Sequence, residues 1–228
     1  IQPPTLATLY GAMLAGVDYV LMGAGIPREI PGALDQLARH EPAELRHEVT
    51  GLPAGAEQPM LRFDPRDHWE RVPPPLRRPR FLPIVASTLL ATVLVRKATG
   101  RVDGLVIEGP TAGGHNAPPR GELRVDERGE PIYGERDVVD LEKVRDLGVP
   151  FWLAGGAGSP RGLREARAAG AAGIQVGTLF AFCEESGMAE DLKHSVLEYA
   201  ARGAVRVRTD MRASPTGYPF KVVEWGAN

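Results

Sequence analysis

The chain has 228 residues, a formal net charge of −2 and a single cysteine, Cys183. Its nearly balanced charge gives no reason to expect binding to nucleic acid or to an anionic membrane. One cysteine excludes an internal disulfide framework, and no apolar run reaches the roughly 20 residues that span a bilayer. No signal peptide opens the chain, so we expect a soluble, cytoplasmic protein.

The two ends of the sequence predict that this chain is a piece of a longer polypeptide. The sequence begins at Ile1 without methionine, and residues 5–16 already have the pattern of a helix that leads into a strand. The last residues, VVEWGAN, contain no obvious closing element. We therefore expect residues 1–228 to form one partial domain.

Strands and helices alternate along the chain. Five short, mostly apolar runs predict buried strands at residues 17–22, 81–86, 102–107, 150–154 and 173–176. Helical patterns lie between and after them at residues 28–40, 88–99, 138–147, 160–169 and 186–202. This alternation predicts an α/β fold built from parallel βαβ units.

Two polar segments interrupt the alternation. Residues 41–80 are rich in proline and are interpreted as an insertion that contains a short pair of strands. The basic cluster in this insertion, Arg77, Arg78 and Arg80, is expected to be a solvated turn rather than a site for a phosphate polymer. Residues 116–137 predict a lid-like loop with a hairpin inside it, because a loop of this length in a compact domain is usually functional or disordered.

The motif after the third predicted strand carries the strongest sign of chemistry. Residues 109–116, GPTAGGHN, place two adjacent glycines, Gly113 and Gly114, before His115. Adjacent glycines let the backbone pass close to a ligand, and an imidazole exchanges protons near neutral pH. The motif therefore predicts an active site with His115 as the proton-transfer group. A weaker hypothesis is that Arg120 contacts an anionic group of the substrate.

The next two strands each end in a glycine-lined turn. The first turn contains Gly155, Gly156 and Gly158, and the second contains Gly177 and Thr178. Free backbone N–H groups at such turns bind anions, and (β/α)8 barrels often hold phosphate after their seventh and eighth strands. The alternative is that these glycines only relieve crowding between strand and helix.

The remaining histidines and the cysteine indicate other roles. No clustering of cysteines or spacing of carboxylates predicts a metal site. His40, His47 and His194 are expected at the surface, whereas the role of His68 is left open. Cys183 is expected to be a buried, inert thiol in a helix.

Three stretches of the chain carry a pattern that can be compared with known families. They are EGPTAGGHNAP at 108–118, LAGGAGSPRGLREARAAGAAGIQVGTLFAFCEESG at 153–187 and ASPTGYPFK at 213–221. Together they resemble the nitronate monooxygenase family, whose members are FMN-dependent (β/α)8 barrels. The resemblance implies a TIM-type barrel that is incomplete at its N-terminus and retains strands four to eight. It also implies a flavin-dependent monooxygenase that oxidises alkyl nitronates or nitroalkanes with O2.

The resemblance assigns roles to individual residues. His115 corresponds to the family's catalytic base, which takes the α-proton of a nitroalkane. The residues that correspond to FMN-binding positions are Gly114, Gly155, Gly156, Gly158, Gln175, Gly177 and Thr178. The implied partners are a small-molecule substrate and O2, and formation of a homo-oligomer is left open.

Three alternatives stand beside this interpretation. An FMN-dependent enoyl-thioester reductase shares the barrel and a similar glycine–histidine motif. A non-catalytic fragment that binds flavin or phosphate is expected if the incomplete barrel is inactive. A flavodoxin-like open sheet of five strands also fits the number of strands.

Overall fold

The computed structural model describes residues 3–23, 25–49, 51–53 and 55–225. Its strands are β1 Tyr19–Met22, β2 Ala43–Arg46, β3 Met60–Phe63, β4 Arg80–Val85, β5 Leu105–Glu108, β6 Phe151–Ala154, β7 Gly173–Gln175, β8 Arg206–Asp210 and β9 Phe220–Glu224. Its α-helices are α1 Thr5–Leu14, α2 Ile30–Ala38, α3 Thr88–Lys97, α4 Leu141–Arg145, α5 Pro160–Ala168, α6 Thr178–Ala181 and α7 Glu190–Ala201. Short 3-10 helices span Pro65–His68 and Glu135–Asp137. None of the helices in the described ranges is long and apolar enough to cross a membrane.

The five predicted strands form one sheet in the order β1-β4-β5-β6-β7. β1 pairs in parallel with β4, and β6 pairs in parallel with β7. The order of the sheet strands therefore follows the order of the chain, as successive βα units of a (β/α)8 barrel require. A flavodoxin-like sheet has the order 2-1-3-4-5, so that alternative is wrong. The predicted α/β class is confirmed.

Three predicted helices begin later than expected: α2 at Ile30 instead of residue 28, α4 at Leu141 instead of 138, and α7 at Glu190 instead of 186. Lys193 lies in α7 and is buried. Its ammonium group donates to the carbonyl oxygens of Cys183 and Glu184, which precede this helix, at 3.3 and 3.0 Å. These bonds stabilise a turn. Cys183 lies in this turn and is half-buried, with its Sγ 3.0 Å from the carbonyl oxygen of Phe180. The expectation of a buried thiol in a helix is wrong.

Contacts within the chain divide it into two compact units. Residues 1–84 and 89–105 belong to the first unit, and residues 85–88 and 106–228 belong to the second. The second unit contains β6–β7 and an antiparallel hairpin, β8–β9. A short hairpin is present inside residues 116–137, with Ile132 N–H donating to the carbonyl oxygen of Arg124 at 2.9 Å.

The core of the first unit follows from helical periodicity. α1 buries Leu6, Leu9 and Met13, which lie on one face of a helix, and α2 buries Leu34 and Leu37. The two helices contact each other and the antiparallel β2–β3 pair. This pair is the short pair of strands expected inside the insertion.

The basic cluster of the insertion is only partly solvated. Arg77 is exposed and pairs with Asp18 at 2.6 Å. Arg78 is largely buried and donates to the carboxylates of Asp35 and Asp103, both at 2.6 Å. Asp103 also accepts the backbone N–H of Phe81 at 2.9 Å, so the ion pair fixes the start of β4. The expectation of a solvated turn is wrong for Arg78, because its charge is balanced inside the fold.

His40 is buried at 2% exposure, so the predicted surface position is wrong. Its Nε2 lies 3.0 Å from the carbonyl oxygen of Pro74, which can only accept, so this nitrogen carries the proton in the neutral ring. Its Nδ1 then accepts from the hydroxyl of Tyr10 at 2.7 Å, and that hydroxyl accepts from Nε1 of Trp69 at 2.7 Å. A directed chain of hydrogen bonds thus satisfies the buried ring, a pattern that sequence spacing does not reveal.

Replacing Tyr10 with phenylalanine is expected to lower the free energy of unfolding by about 1–3 kcal/mol, because Nδ1 of His40 is left buried without a partner. Urea denaturation measures the loss. Tyr19→Phe is the matched control, since the Tyr19 hydroxyl is exposed and bonds only to Arg80 among the described residues. The control should stay within about 0.5 kcal/mol of the unmodified protein. Equal losses in the two variants would contradict the role of the buried chain.

Candidate functional site

The turn after β5 places His115 against β9. Gly114 has φ +77° and open space around it, so a left-handed conformation selects glycine there. The N–H of Lys221 donates to the carbonyl oxygen of Gly114, and the N–H of Asn116 donates to that of Pro219, both at 2.9 Å. His115 therefore forms an isolated antiparallel bridge with Phe220.

The His115 side chain is held by residues that follow β8. Its Nε2 lies 2.6 Å from Oγ of Ser214 and 3.2 Å from Oγ1 of Thr216. The Phe220 ring meets the imidazole edge-on, with centroids 4.8 Å apart and an interplanar angle of 77°. Sequence reasoning missed these three residues. The signal was present, because they belong to the stretch ASPTGYPFK, but nothing local in that stretch indicates a histidine 99 residues away.

The turn after β6 approaches the turn after β5 closely. A Cβ atom at Gly155 would lie 2.7 Å from the backbone nitrogen of Ala112 and 2.9 Å from Oγ1 of Thr111. Gly155 also has φ +92°, so glycine is required there by both crowding and conformation. Crowding therefore accounts for Gly155. At Gly158 a Cβ would lie 3.3 Å from side-chain carbons of Val176 and Leu179, a tight contact that a small movement of the exposed Leu179 side chain would relieve.

Gly156 and Gly177 are different. Gly156 is exposed, and the nearest atom to an added Cβ is Oγ1 of Thr111 at 3.8 Å. Gly177 has φ −117°, and an added Cβ would meet nothing within 4 Å among the described residues. Packing thus explains neither residue, and at Gly177 the backbone conformation does not demand glycine either. Open space beside backbone N–H groups is what an anion-binding turn needs.

The turn after β7 comes close to the turn after β5. Oγ1 of Thr178 lies 3.8 Å from where a Cβ of Gly113 would stand. The structure therefore brings together the glycine–histidine motif and the two glycine-lined turns at the carboxyl ends of β5, β6 and β7. In parallel α/β sheets this end is where ligands bind.

Two buried amide oxygens near these turns have no hydrogen-bond partner within the described residues. They are Oε1 of Gln175, at the end of β7, and Oδ1 of Asn116. The Asn116 amide nitrogen does bond, to the carbonyl oxygen of Ala112 at 3.1 Å. A buried acceptor without a donor is costly, so these oxygens suit a bound group that carries N–H or O–H donors.

A cavity of about 780 Å³ opens beside the glycine turns. Its wall includes Thr111, Gly155 and Gly156, but His115, Gln175 and Gly177 do not line it. Its ionisable lining is acidic, with no lysine or arginine, and consists of Glu108, Tyr133, Glu135, Asp137 and Glu165. The cavity therefore disfavours a phosphate and suits an uncharged group.

Burial changes the ionisation of two residues in this cavity. Loss of solvent raises the pKa of Glu108, whose carboxyl has no hydrogen bond or ion pair within the described part of the chain. Burial also raises the pKa of Tyr133, and the charges of Asp137 and Glu108 raise it further. Both shifts favour the neutral forms, and a neutral Glu108 carboxyl can donate a hydrogen bond to a ligand. The Tyr133 hydroxyl already donates to the carbonyl oxygen of Ala117 at 3.1 Å.

The guanidinium group of Arg120 is held by backbone carbonyl groups. Its Nη1 and Nη2 donate to the carbonyl oxygens of Arg136 and Ala86, at 2.5 and 2.8 Å. Its backbone N–H donates to Asp137 at 2.9 Å. These bonds hold residues 116–137 in place and give Arg120 a structural role, while its contact with an anionic group of the substrate stays a prediction.

The chain is similar in sequence to several known proteins. The family model described as nitronate monooxygenase matches residues 79–216, more than half of the chain. A probable nitronate monooxygenase of Staphylococcus haemolyticus is 35% identical over 97 residues, which are 42% of this chain and 26% of that protein. The (3aS,4S,5R,7aS)-5-hydroxy-7a-methyl-1-oxo-octahydro-1H-indene-4-carboxyl-CoA dehydrogenase of Rhodococcus jostii is 34% identical over 140 residues, 61% of this chain and 34% of that one.

Among solved structures, FabK from Thermotoga maritima superposes with a TM-score of 0.59 at 21% identity. The likeness covers 98% of this chain and 51% of FabK, so this chain spans about half the length of that protein. At this identity the likeness shows the fold alone, a (β/α)-barrel type. The family model supplies the relationship: this chain belongs to the nitronate monooxygenase family.

Proposed function

We propose that this protein is a flavin-dependent oxidoreductase that oxidises alkyl nitronates or nitroalkanes with O2, with FMN as cofactor and His115 as general base. The observation that carries the proposal is the meeting of three turns, where Gly113 faces Thr178 and Gly155 contacts Ala112, in the turn that leads to His115. Membership of the nitronate monooxygenase family supports it. The single cysteine supports a cytoplasmic location.

The residues of the site fit FMN. The open backbone at Gly177, with the hydroxyl of Thr178, would hold the phosphate, whereas Gly156 lines the acidic cavity and would lie beside an uncharged part of FMN. The unpartnered Oε1 of Gln175 would accept a hydrogen bond from the flavin, and Gly114 would leave room for the ring. When bound, FMN would supply electron acceptance and reaction with O2, which no side chain can provide.

His115 would supply the proton step. A neutral nitroalkane becomes oxidisable once its α-carbon loses a proton and the C–H electron pair remains as the nitronate. The imidazole takes this proton at an unprotonated ring nitrogen. His115 is exposed at the end of β5 while its ring is anchored at Nε2, so the base is accessible and oriented.

One observation favours a second candidate. The Rhodococcus jostii relative is named as a dehydrogenase of a carboxyl-CoA, and the 780 Å³ cavity suits an uncharged group with apolar contacts. Both features fit a flavin-dependent oxidoreductase of acyl thioesters, such as an enoyl-thioester reductase. Reduced nicotinamide consumption with an enoyl thioester would support that candidate, and O2 uptake with a nitronate would support the first. Absence of bound flavin from the purified protein would favour a non-catalytic fragment.

Replacing His115 with asparagine should lower turnover of a neutral nitroalkane by about 10² to 10⁴, because the proton acceptor is lost. The measurement is O2 uptake with nitroethane. A pre-formed nitronate has already lost its α-proton, so its turnover should fall much less, and FMN absorbance should be retained. Unchanged turnover of the neutral substrate would remove His115 as the base.

Replacing Gly177 with leucine should weaken FMN binding by at least about tenfold without unfolding the protein, because the side chain would enter open space that the phosphate needs. Flavin fluorescence quenching measures the dissociation constant. Gly187→Leu is the matched control, since an added Cβ at Gly187 also meets nothing within 4 Å among the described residues. Equal FMN affinity in the two variants would refute a phosphate site at Gly177.

A further inference from the structure

The segment after β8 gives His115 a pair of hydroxyl neighbours. Oγ of Ser214 and Oγ1 of Thr216 lie 2.6 and 3.2 Å from Nε2 of His115, and 2.7 Å from each other. The backbone N–H of Thr216 also points to Oγ of Ser214 at 3.3 Å. Ser214 is buried at 7% exposure, so its hydroxyl depends on these protein partners.

The two hydroxyl contacts of Nε2 favour one tautomer of His115. A neutral imidazole carries one N–H and one ring lone pair, on different nitrogens. A lone pair at Nε2 could receive only one of the two hydroxyl hydrogens. An N–H at Nε2 can instead be shared between both oxygens, while Ser214 and Thr216 bond to each other. Nδ1 of His115 has no hydrogen-bond partner within the described residues, so it is the nitrogen left for a substrate.

We propose that Ser214 and Thr216 are positioning residues that hold His115 with its proton on Nε2, which leaves Nδ1 as the basic nitrogen. The part of this inference that concerns substrate rests on the proposed function, whereas the tautomer does not. The edge-on Phe220 ring restricts rotation of the imidazole. The bonds from Lys221 N–H to Gly114 and from Asn116 N–H to Pro219 hold the backbone on either side of His115. An exposed histidine without these contacts would sample both tautomers and several ring orientations.

Nitrogen-15 NMR of histidine-labelled protein tests the tautomer directly, and His115→Asn identifies the His115 signals. At a pH where the ring is neutral, we expect a protonated Nε2 and an unprotonated Nδ1. In the double variant Ser214→Ala, Thr216→Val the two nitrogens should shift toward an average of both tautomers. Tyr218→Phe is the control, because its hydroxyl is exposed on the same segment and bonds to no described residue. A proton on Nδ1 in the unmodified protein, or an unchanged tautomer in the double variant, would overturn the proposal.

Kinetics test the consequence for the proton step. The double variant should turn over a neutral nitroalkane about 10- to 100-fold more slowly, as expected when a group that orients a histidine is lost. Turnover of a pre-formed nitronate should be unchanged, which also shows that the variant is folded. Thr216→Ser keeps the hydroxyl and should retain activity. Equal losses with both substrates, or none with either, would refute the positioning role.

The two proposals can fail separately. If His115→Asn leaves nitroalkane turnover unchanged, the proposed base is wrong, and the NMR result still decides the tautomer. If His115→Asn abolishes turnover and the double variant does not slow it, the positioning role alone is wrong.

Discussion

The close approach of the turn after β6 to the turn after β5 is the constraint on which the candidate site depends. A Cβ at Gly155 would stand 2.7 Å from the backbone nitrogen of Ala112, a distance that no side chain tolerates. Because Gly155 has none, the loops at the ends of two neighbouring strands can touch. His115, in the first loop, and Gly156, in the second, therefore lie on loops that contact each other.

The hairpin β8–β9 completes this arrangement from a distant part of the chain. Phe220 forms a β-bridge with His115, and the N–H of Lys221 donates to the carbonyl oxygen of Gly114. The hydroxyl of Ser214 lies within hydrogen-bond distance of Nε2 of His115. The result is an accessible imidazole whose ring is fixed on one side. Such anchoring of a reactive group by neighbours that do not themselves react is common in active sites, since loss of orientation lowers the rate of proton transfer.

Charge separates two regions of the site. The acidic lining of the 780 Å³ cavity disfavours anions. The open backbone at Gly177 and the hydroxyl of Thr178 lie outside that lining and carry no negative charge. A cofactor with an anionic tail is therefore better placed on the Gly177 side, which leaves the cavity for an uncharged group.

The sequence by itself determined the α/β class, the five strands of the sheet and the glycine–histidine motif. These features are local, because strand runs, helix periodicity and glycine-rich turns depend on neighbouring residues. It also placed Gly155, Gly156, Gly177 and Thr178 at strand ends, where parallel topology brings such turns to one edge of the sheet. Local patterns could not separate Gly155, fixed by crowding, from Gly177, which has space around it.

Only the tertiary structure decided the features that join distant residues. His40 and Arg78 resemble surface residues in sequence, yet His40 is buried and Arg78 is largely buried, because their partners, Tyr10 and Asp103, come from other elements. Ser214 reaches His115 across 99 residues for the same reason. A buried polar group is stable only where its partners converge, and that convergence is a property of the folded chain.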